Sequence, residues 1–307
     1  MIVYLVLVLT FGFTLLTSDI AIGRRTKESA IGAYSKMQER WKFLGILTFL
    51  VPVLIMTYYA VIGGWITRYA VVYLSGQAEA AARDGYFTSF ITSPVSPVIF
   101  ALLFMGVTAL IVYNGVEGGI ERVSKCMMPV LLVLVVIIAG YSLTLHHVDA
   151  DGQVRTGMEG FLYYIRPDLE GIFSLSVSMG IMITYGSYVK PEVDLNRAVN
   201  QIEIFDTGVA LLAGAMIIPA VYVFSGTEGM SAGPSLMFIS LPKVFAAMGK
   251  AGVFMGILFF VAAIFATLTS CISVLESITA NCMEIFHTER KKTVLVKKCA
   301  VLSVFTP

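Results

Sequence analysis

Long apolar stretches separated by short polar ones run from one end of the chain to the other. Seven of these stretches approach the roughly 20 apolar residues that a helix needs to cross a bilayer. We therefore predict an all-α polytopic membrane protein, a single transmembrane domain of about seven helices. The predicted spans are 1–22, 43–74, 98–113, 127–145, 172–190, 204–224 and 253–283, with a re-entrant outer loop at 225–250 and the start of a further span at 299–307.

The composition supports this assignment and narrows the function. The chain of 307 residues is 57% hydrophobic and only 13% charged, whereas soluble domains have roughly 25% charged residues. A formal net charge of +1 does not indicate nucleic-acid binding. The four cysteines form no CxxC pair, and the chain has no HExxH motif and no P-loop motif. We predict a protein that is not an enzyme.

Lysine and arginine are distributed unevenly between the loops. They are frequent at 23–42 and 287–298 and sparse at 75–97, 146–170 and 225–250. With the predicted spans, both rich segments fall on the same side of the membrane. Basic loops are typically cytoplasmic, so we predict a multi-pass protein of the plasma membrane.

The fifth predicted span has a weak centre. Ser174, Ser176 and Ser178 alternate with apolar residues and are followed by Gly180. Serine offers competing hydrogen bonds to the backbone, and glycine resists ordering into a helix. Two interpretations fit: a span whose backbone opens and binds ions with its carbonyl groups, or a continuous helix bent by serine.

Several polar groups lie inside predicted spans, where they are costly. Ala266, Thr269 and Ser270 are spaced i, i+3 and i+4 and share one helix face. One carbonyl and two hydroxyl groups there could bind a monovalent cation, or the hydroxyls could simply bond to carbonyl groups of their own helix. Asp206 is either an ion ligand or a carboxylate near the cytoplasmic interface.

Other intramembrane side chains have simpler explanations as well. Tyr58 and Tyr59 place phenol groups near mid-membrane, where one could hold a ligand or both could only pack. Glu276 and Glu284 approach the cytoplasmic end of their span, and we expect them to reach water there. His146 and the residues after it have no metal-ligand spacing and are predicted to form a solvated loop.

Six segments together carry a family resemblance, and they cover nearly the whole chain. They are 12–24 (GFTLLTSDIAIGR), 58–65 (YYAVIGGW), 115–129 (GVEGGIERVSKCMMP), 173–188 (FSLSVSMGIMITYGSY), 206–219 and 266–276 (ATLTSCISVLE). They resemble the neurotransmitter:sodium symporters, specifically the bacterial amino-acid transporters of the LeuT fold, from helix two to the start of helix nine. The resemblance implies a partial LeuT-like inverted-repeat helical bundle. It also implies sodium-coupled symport of a small neutral or hydrophobic amino acid by alternating access, with no organic cofactor.

The resemblance also implies roles for individual residues. The substrate would contact Tyr59, Phe173, Ser176, Met179, Ser270 and Val274. Sodium would be bound by Ser174, Asp206, Ala266, Thr269 and Ser270, and Glu284 would belong to a cytoplasmic gate. Because Met179 is flexible and polarisable, we expect a bulky apolar substrate side chain.

Tyr4 matches a chloride-site residue of the family, and a fixed carboxylate can replace chloride in bacterial members. We hypothesise that Asp206 supplies this charge and makes transport independent of chloride. Loss of sodium-coupled uptake on chloride removal would contradict the hypothesis.

The chain also departs from the family pattern. The first helix, the helices from nine onward and the half-helix before Phe173 are not recognisable in it. We therefore expect this chain to be a fragment that does not transport by itself. The alternative is a structural or assembly protein derived from a degenerate transporter. Stabilisation by sodium but not by potassium would distinguish the symporter from the relic.

Overall fold

The computed structural model describes residues 8–148, 154–165, 180–226 and 236–294, which are almost entirely helical. The helices are α1 (Phe13–Thr26), α2 (Ala30–Met37), α3 (Lys42–Leu74), α4 (Ala78–Ala81), α5 (Tyr86–Ile91), α6 (Ser96–Tyr113), α7 (Arg122–Thr144), α8 (Gly157–Ile165), α9 (Ile181–Tyr188), α10 (Leu195–Ser225), α11 (Leu241–Ala247) and α12 (Lys250–Phe286). Short π-helical turns at Val8–Gly12, Val116–Glu121 and Leu236–Ser240 and a 3₁₀ turn at Glu39–Trp41 connect them, and β1 (His146–Val148) pairs antiparallel with β2 (Val154–Thr156).

Five helical segments among the described residues are long and apolar enough to cross a membrane. They are Glu39–Leu74, Ser96–Tyr113, Val116–Thr144, Leu195–Phe224 and Lys250–Phe286. The predicted all-α membrane fold is therefore confirmed. The other two predicted spans, 1–22 and 172–190, lie partly outside the described residues.

Helices α3, α6 and α12 form the centre of the described structure, with α3 packed along α12 and also against α6. Two glycines on α3 allow the close approach to α6. A Cβ at Gly63 would lie 2.4 Å from the Phe104 ring, and one at Gly64 would lie 2.6 Å from the Ala101 backbone nitrogen. Small residues at such crossings are typical of membrane helices, whose association depends on close backbone packing.

The short helix α9 packs mainly against α1. A Cβ at Gly23 of α1 would lie 2.0 Å from the Ile183 carbonyl oxygen, and one at Gly186 of α9 would lie 2.5 Å from the Ile20 carbonyl oxygen. Each helix thus contributes a glycine to a crossing that has no room for a larger side chain. As a consequence, α1 and α9 form one tightly packed pair.

Part of the predicted loop at 225–250 is folded onto the rest of the protein. Residues 236–247 form the third π-helical turn and α11, and Phe238 lies buried among Tyr69, Phe87 and Trp65. The Tyr69 hydroxyl donates to the Phe238 carbonyl group over 2.8 Å. An aromatic cluster therefore holds this segment against α3.

Candidate functional site

Helix α12 brings two of the predicted sodium ligands together. The Thr269 hydroxyl donates to the carbonyl oxygens of Phe265 and Ala266, each over 3.0 Å. This is the hydroxyl-to-carbonyl bonding that the sequence left open as the simpler alternative. This bonding is compatible with a cation site, because the bond and a bound cation would use the same two oxygens, those of Ala266 and Thr269. A hard cation coordinated by oxygen could replace the bond between them.

The substrate-contact candidates on α3 and α12 lie on packed helices. Tyr59 is half-buried, and its ring centre lies 5.1 Å from that of Tyr58. Val274 is buried in the apolar cluster against which Tyr59 packs. Ser270, which follows Thr269 in the sequence, is exposed. The α3–α12 pair thus carries three of the six predicted substrate residues.

The described structure does not bring the other candidate site residues together with those on α3 and α12. Asp206 is exposed on α10, a helix that packs mainly against α7 and α8, and it forms no hydrogen bond or ion pair with another described residue. Tyr4, Phe173, Ser174, Ser176 and Met179 lie outside the described residues. The described chain resumes at Gly180 with φ of +71°, and α9 starts at the next residue.

A row of polar contacts connects α9 to α12. The hydroxyls of Thr184 and Ser277 lie 3.4 Å apart, and Tyr185 donates to Ser273 over 3.3 Å. Near the end of α9, the Tyr188 hydroxyl donates to a carboxylate oxygen of Glu276 over 2.7 Å. The face that α9 turns to α12 is therefore held by side-chain hydrogen bonds.

The expectation that Glu276 reaches water is wrong. Its side chain is 0% exposed, and Arg290 binds both of its carboxylate oxygens. Burial alone would lower the pKa of Arg290, but the hydrogen bonds and negative charge of Glu276 outweigh it and raise that pKa above its ordinary value. Sequence spacing could not find this pair, because Arg290 follows the end of α12, where His287 has a left-handed conformation (φ 47°) and turns the chain back.

Glu284 lies where α2 meets α12. Its carboxylate accepts from the backbone nitrogen of Ser29 over 2.7 Å and also from the Ser29 hydroxyl. One turn earlier, the Asn281 side-chain oxygen accepts from the Ile31 nitrogen over 3.1 Å. Both α12 side chains therefore satisfy backbone donors at the start of α2, which a helix cannot satisfy internally.

Long apolar helices pack around the central helix α12, on which the oxygens of Ala266 and Thr269 lie together. Sequence comparison assigns the family: the chain belongs to the sodium:neurotransmitter symporter family, whose profile matches residues 1–81 and 95–306. The family and fold predicted from the sequence are thereby confirmed. The family consists of symporters, which agrees with the prediction that the protein is not an enzyme.

Several relatives show how far this similarity extends. A sodium-dependent transporter of Bacillus subtilis is 34% identical over 308 residues, covering 94% of this chain and 66% of the relative. A sodium-dependent transporter of Haemophilus influenzae is 30% identical over 321 residues, covering 95% of this chain and 68% of the relative. The crystal structure of MhsT in complex with L-phenylalanine matches with a TM-score of 0.86 and 34% identity, covering 99% of this chain and 70% of MhsT. The chain thus spans about two thirds of the length of these curated relatives.

Proposed function

We propose that this chain supplies the helices of a sodium-coupled symporter for a hydrophobic amino acid. The observation that carries the proposal is the oxygen pair of Ala266 and Thr269 on the central helix α12, which packs along α3, the helix that bears Tyr59. The Bacillus and Haemophilus relatives are named as sodium-dependent. The similar MhsT structure is a complex with L-phenylalanine, which favours a bulky apolar substrate.

In this proposal the roles divide between the two cation positions and the substrate. Ala266, Thr269 and Ser270 hold one sodium ion, and Ser174 and Asp206 contribute to a second. The substrate contacts are those that the resemblance implies: Tyr59, Phe173, Ser176, Met179, Ser270 and Val274. Glu284 belongs to the cytoplasmic gate, and the protein works in the plasma membrane of the cell.

Coupling of sodium binding to substrate transport would follow from the effect of sodium on the relative stability of the protein's conformations. Sodium binds with oxygen ligands that only one conformation brings together, so the ion shifts the population toward that conformation. The substrate then binds a site that is already formed. Release on the other side of the membrane requires the conformation in which those ligands separate.

The test replaces one hydroxyl and keeps the side-chain shape. In Thr269→Val the proposed ligand is lost, whereas Thr267→Val is the matched control. The Thr267 hydroxyl also donates to a carbonyl group four residues earlier in α12, over 2.8 Å to Ala263, but has no proposed ligand role. Thermal unfolding of the purified protein is followed in sodium chloride and in potassium chloride at equal ionic strength, with and without L-phenylalanine.

We expect sodium to raise the unfolding midpoint of the parent and of Thr267→Val, and potassium not to. A ligand present at 100 times its dissociation constant stabilises by about 2.7 kcal/mol. The sodium-specific shift should largely disappear in Thr269→Val. Equal midpoints in the two salts for all three proteins would contradict the proposal and favour the structural relic. A sodium shift that survives in Thr269→Val would contradict the assignment of this residue as a ligand.

A further inference from the structure

An open depression lies where the chain passes from the Val116–Glu121 turn into α7. Its volume is about 450 Å³, within the roughly 300–1,000 Å³ that is typical of ligand sites. The predicted topology puts it on the cytoplasmic side, because the turn joins the predicted spans 98–113 and 127–145. Two carboxylates, two cations and one thiol line it, and all of them belong to exposed residues: Glu117, Glu121, Arg122, Lys125 and Cys126.

The protein itself uses only part of the charge in this depression. Lys125 forms an ion pair with Glu121 over 2.6 Å, one helical turn away. Lys190, which does not line the depression, also acts on the charge of Glu121. Glu117 and Arg122, in contrast, form no hydrogen bond or ion pair with any residue that the structure describes. One carboxylate and one guanidinium group are therefore available, and a ligand that suits both carries a cation and an anion.

An exposed apolar face of α7 leads away from the depression. Residues three or four positions apart lie on the same side of a helix, and this side carries five exposed residues: Arg122, Cys126, Val130, Val133 and Ile137. From Cys126 to Ile137 the face extends about 16 Å at 1.5 Å per residue. This is close to one leaflet's share, about 15 Å, of the hydrocarbon core of a bilayer. An acyl chain on this face would thus bring its headgroup to the depression.

We propose that the depression binds the headgroup of phosphatidylethanolamine, whose acyl chain lies on the exposed face of α7. The proposal does not depend on the proposed transport function. The lipid phosphate pairs with Arg122, because a guanidinium group binds phosphate oxygens through two parallel hydrogen bonds. The lipid ammonium, which has three N–H donors like that of lysine, pairs with Glu117. A bound headgroup covers Cys126, since this thiol lines the same depression.

The headgroup chemistry distinguishes this lipid from two other common phospholipids. The nitrogen of phosphatidylcholine bears three methyl groups and no N–H, so it cannot donate a hydrogen bond to Glu117. Phosphatidylglycerol offers a phosphate to Arg122 but has no cation for the carboxylate. All three lipids can carry the same acyl chains, so the apolar face of α7 gives no preference among them. Selection of phosphatidylethanolamine therefore depends on Glu117.

The experiment uses Cys126 as the reporter of bound lipid. Cys271 and Cys282 are buried, and Cys299 is replaced by serine in the full chain. The purified protein in detergent micelles reacts with methyl methanethiosulfonate, a small uncharged thiol reagent, and the reaction is followed by intact-protein mass. Phosphatidylethanolamine, phosphatidylcholine and phosphatidylglycerol with identical chains are added separately at equal mole fraction. Protection is the ratio of the rates without and with lipid, measured for each variant, and the same background with Cys126→Ser is subtracted.

We expect phosphatidylethanolamine to protect Cys126 about tenfold better than phosphatidylcholine, the scale of one hydrogen bond between charged groups. Glu117→Gln should remove this difference, because a neutral amide lacks the charge that attracts the ammonium. Arg122→Gln should reduce protection by every phospholipid, because all of them present a phosphate. Glu192→Gln and Arg197→Gln neutralise exposed residues outside the depression and should behave like the parent.

Several results would overturn the proposal. Equal protection by phosphatidylethanolamine and phosphatidylcholine would show that the depression does not recognise the ammonium. Protection by phosphatidylglycerol as strong as by phosphatidylethanolamine would show that it selects only the phosphate. Soluble glycerophosphoethanolamine has the headgroup without the chains, and equal protection by it would assign the site to a free small molecule. A rate that falls with protein concentration and ignores all lipids would indicate that a second copy of the chain covers this face.

Discussion

At the scale of residues, the helix crossings depend on glycines, which have no side chain. Gly23, Gly64 and Gly186 each place backbone atoms of another helix where a Cβ would otherwise be. Gly256 does the same for a side chain, since its Cβ would lie 2.1 Å from the Tyr73 ring. Membrane helices gain little from apolar burial against one another, so close contact between backbones contributes much of their packing energy.

Gly23→Ala should therefore destabilise the α1–α9 pair. The added Cβ would lie 2.0 Å from the Ile183 carbonyl oxygen and 2.9 Å from the Ser187 nitrogen, and both are backbone atoms that cannot easily move away. Overpacking of this kind typically costs about 1–3 kcal/mol. It should exceed the gain in helix propensity of about 1 kcal/mol and lower the unfolding midpoint. Gly106→Ala is the control, because its Cβ would have nothing within 4 Å. Equal midpoints for the two variants would contradict the packing described here.

Some side-chain contacts could be predicted from the sequence and others could not. Helical spacing was enough to place Ala266 and Thr269 side by side, because both lie within one turn of one helix. It failed for Glu276, whose partners Tyr188 and Arg290 come from another helix and from beyond a chain reversal. Local periodicity predicts neighbours within a helix but contains no information on which helices meet.

At the scale of elements, side chains of α12 accept hydrogen bonds from backbone donors at the end of another helix. The short helix α2 has no side-chain cap of its own at Ser29, and Glu284 and Asn281 of α12 accept from its first backbone donors instead. A negative charge at a helix N-terminus is also favourable to the helix dipole. The stability of α2 thus depends on a helix about 250 residues away in the sequence.

Glu284→Ala should loosen α2 without unfolding the protein. The Ser29 nitrogen and hydroxyl would lose their acceptor, at a cost of about 1–3 kcal/mol. Hydrogen–deuterium exchange of the Ala30–Met37 amides should become faster, while amides in the middle of α12 keep their rates. Glu289→Ala removes an exposed carboxylate five residues later and should leave α2 unchanged. Unaltered exchange of α2 in Glu284→Ala would show that this carboxylate does not anchor the helix.

The segment at 236–247, which contains α11, has an exposed ion pair as well as its aromatic cluster. Lys243 forms an ion pair with Asp84, and the hydrogen bond and positive charge of Lys243 lower the pKa of that carboxyl below its ordinary value. A carboxyl with a lowered pKa in the folded state contributes stability above its unfolded pKa of about 3.9. That contribution is lost as the pH falls through the lowered value.

Asp84→Asn should accordingly lower the unfolding midpoint slightly at pH 7. The difference from the parent should shrink toward zero as the pH falls below about 4, and high salt should reduce it at every pH because the pair is exposed. Glu79→Gln, which removes an exposed carboxylate from the neighbouring helix α4, controls for the change in net charge. A difference that grows on acidification would contradict the assigned direction of the pKa.

At the scale of the whole molecule, the sequence predicted the class of fold and part of the site. Strong hydropathy and the six family-like segments identified an all-α membrane protein of the symporter family, and the family profile and the similar solved structure confirm both. The polar α9–α12 contact and the docking of α2 on α12 were not predicted, because each joins positions roughly 90 to 250 residues apart. The roles of Phe173, Ser174, Ser176 and Met179 stay predictions.

The shortness of α9 has a consequence for the synthesis of the protein. Its eight residues extend about 12 Å, far less than the roughly 30 Å of a bilayer core. This helix needs α1 as its partner to be sheltered, and α1 leaves the ribosome first. Roughly 150 residues separate the two helices, which at 5–20 residues per second is about 8–30 s of translation. During that time Gly23 and the α1 face around it lack their partner, so we expect the nascent chain to be most prone to wrong helix pairing between these two moments.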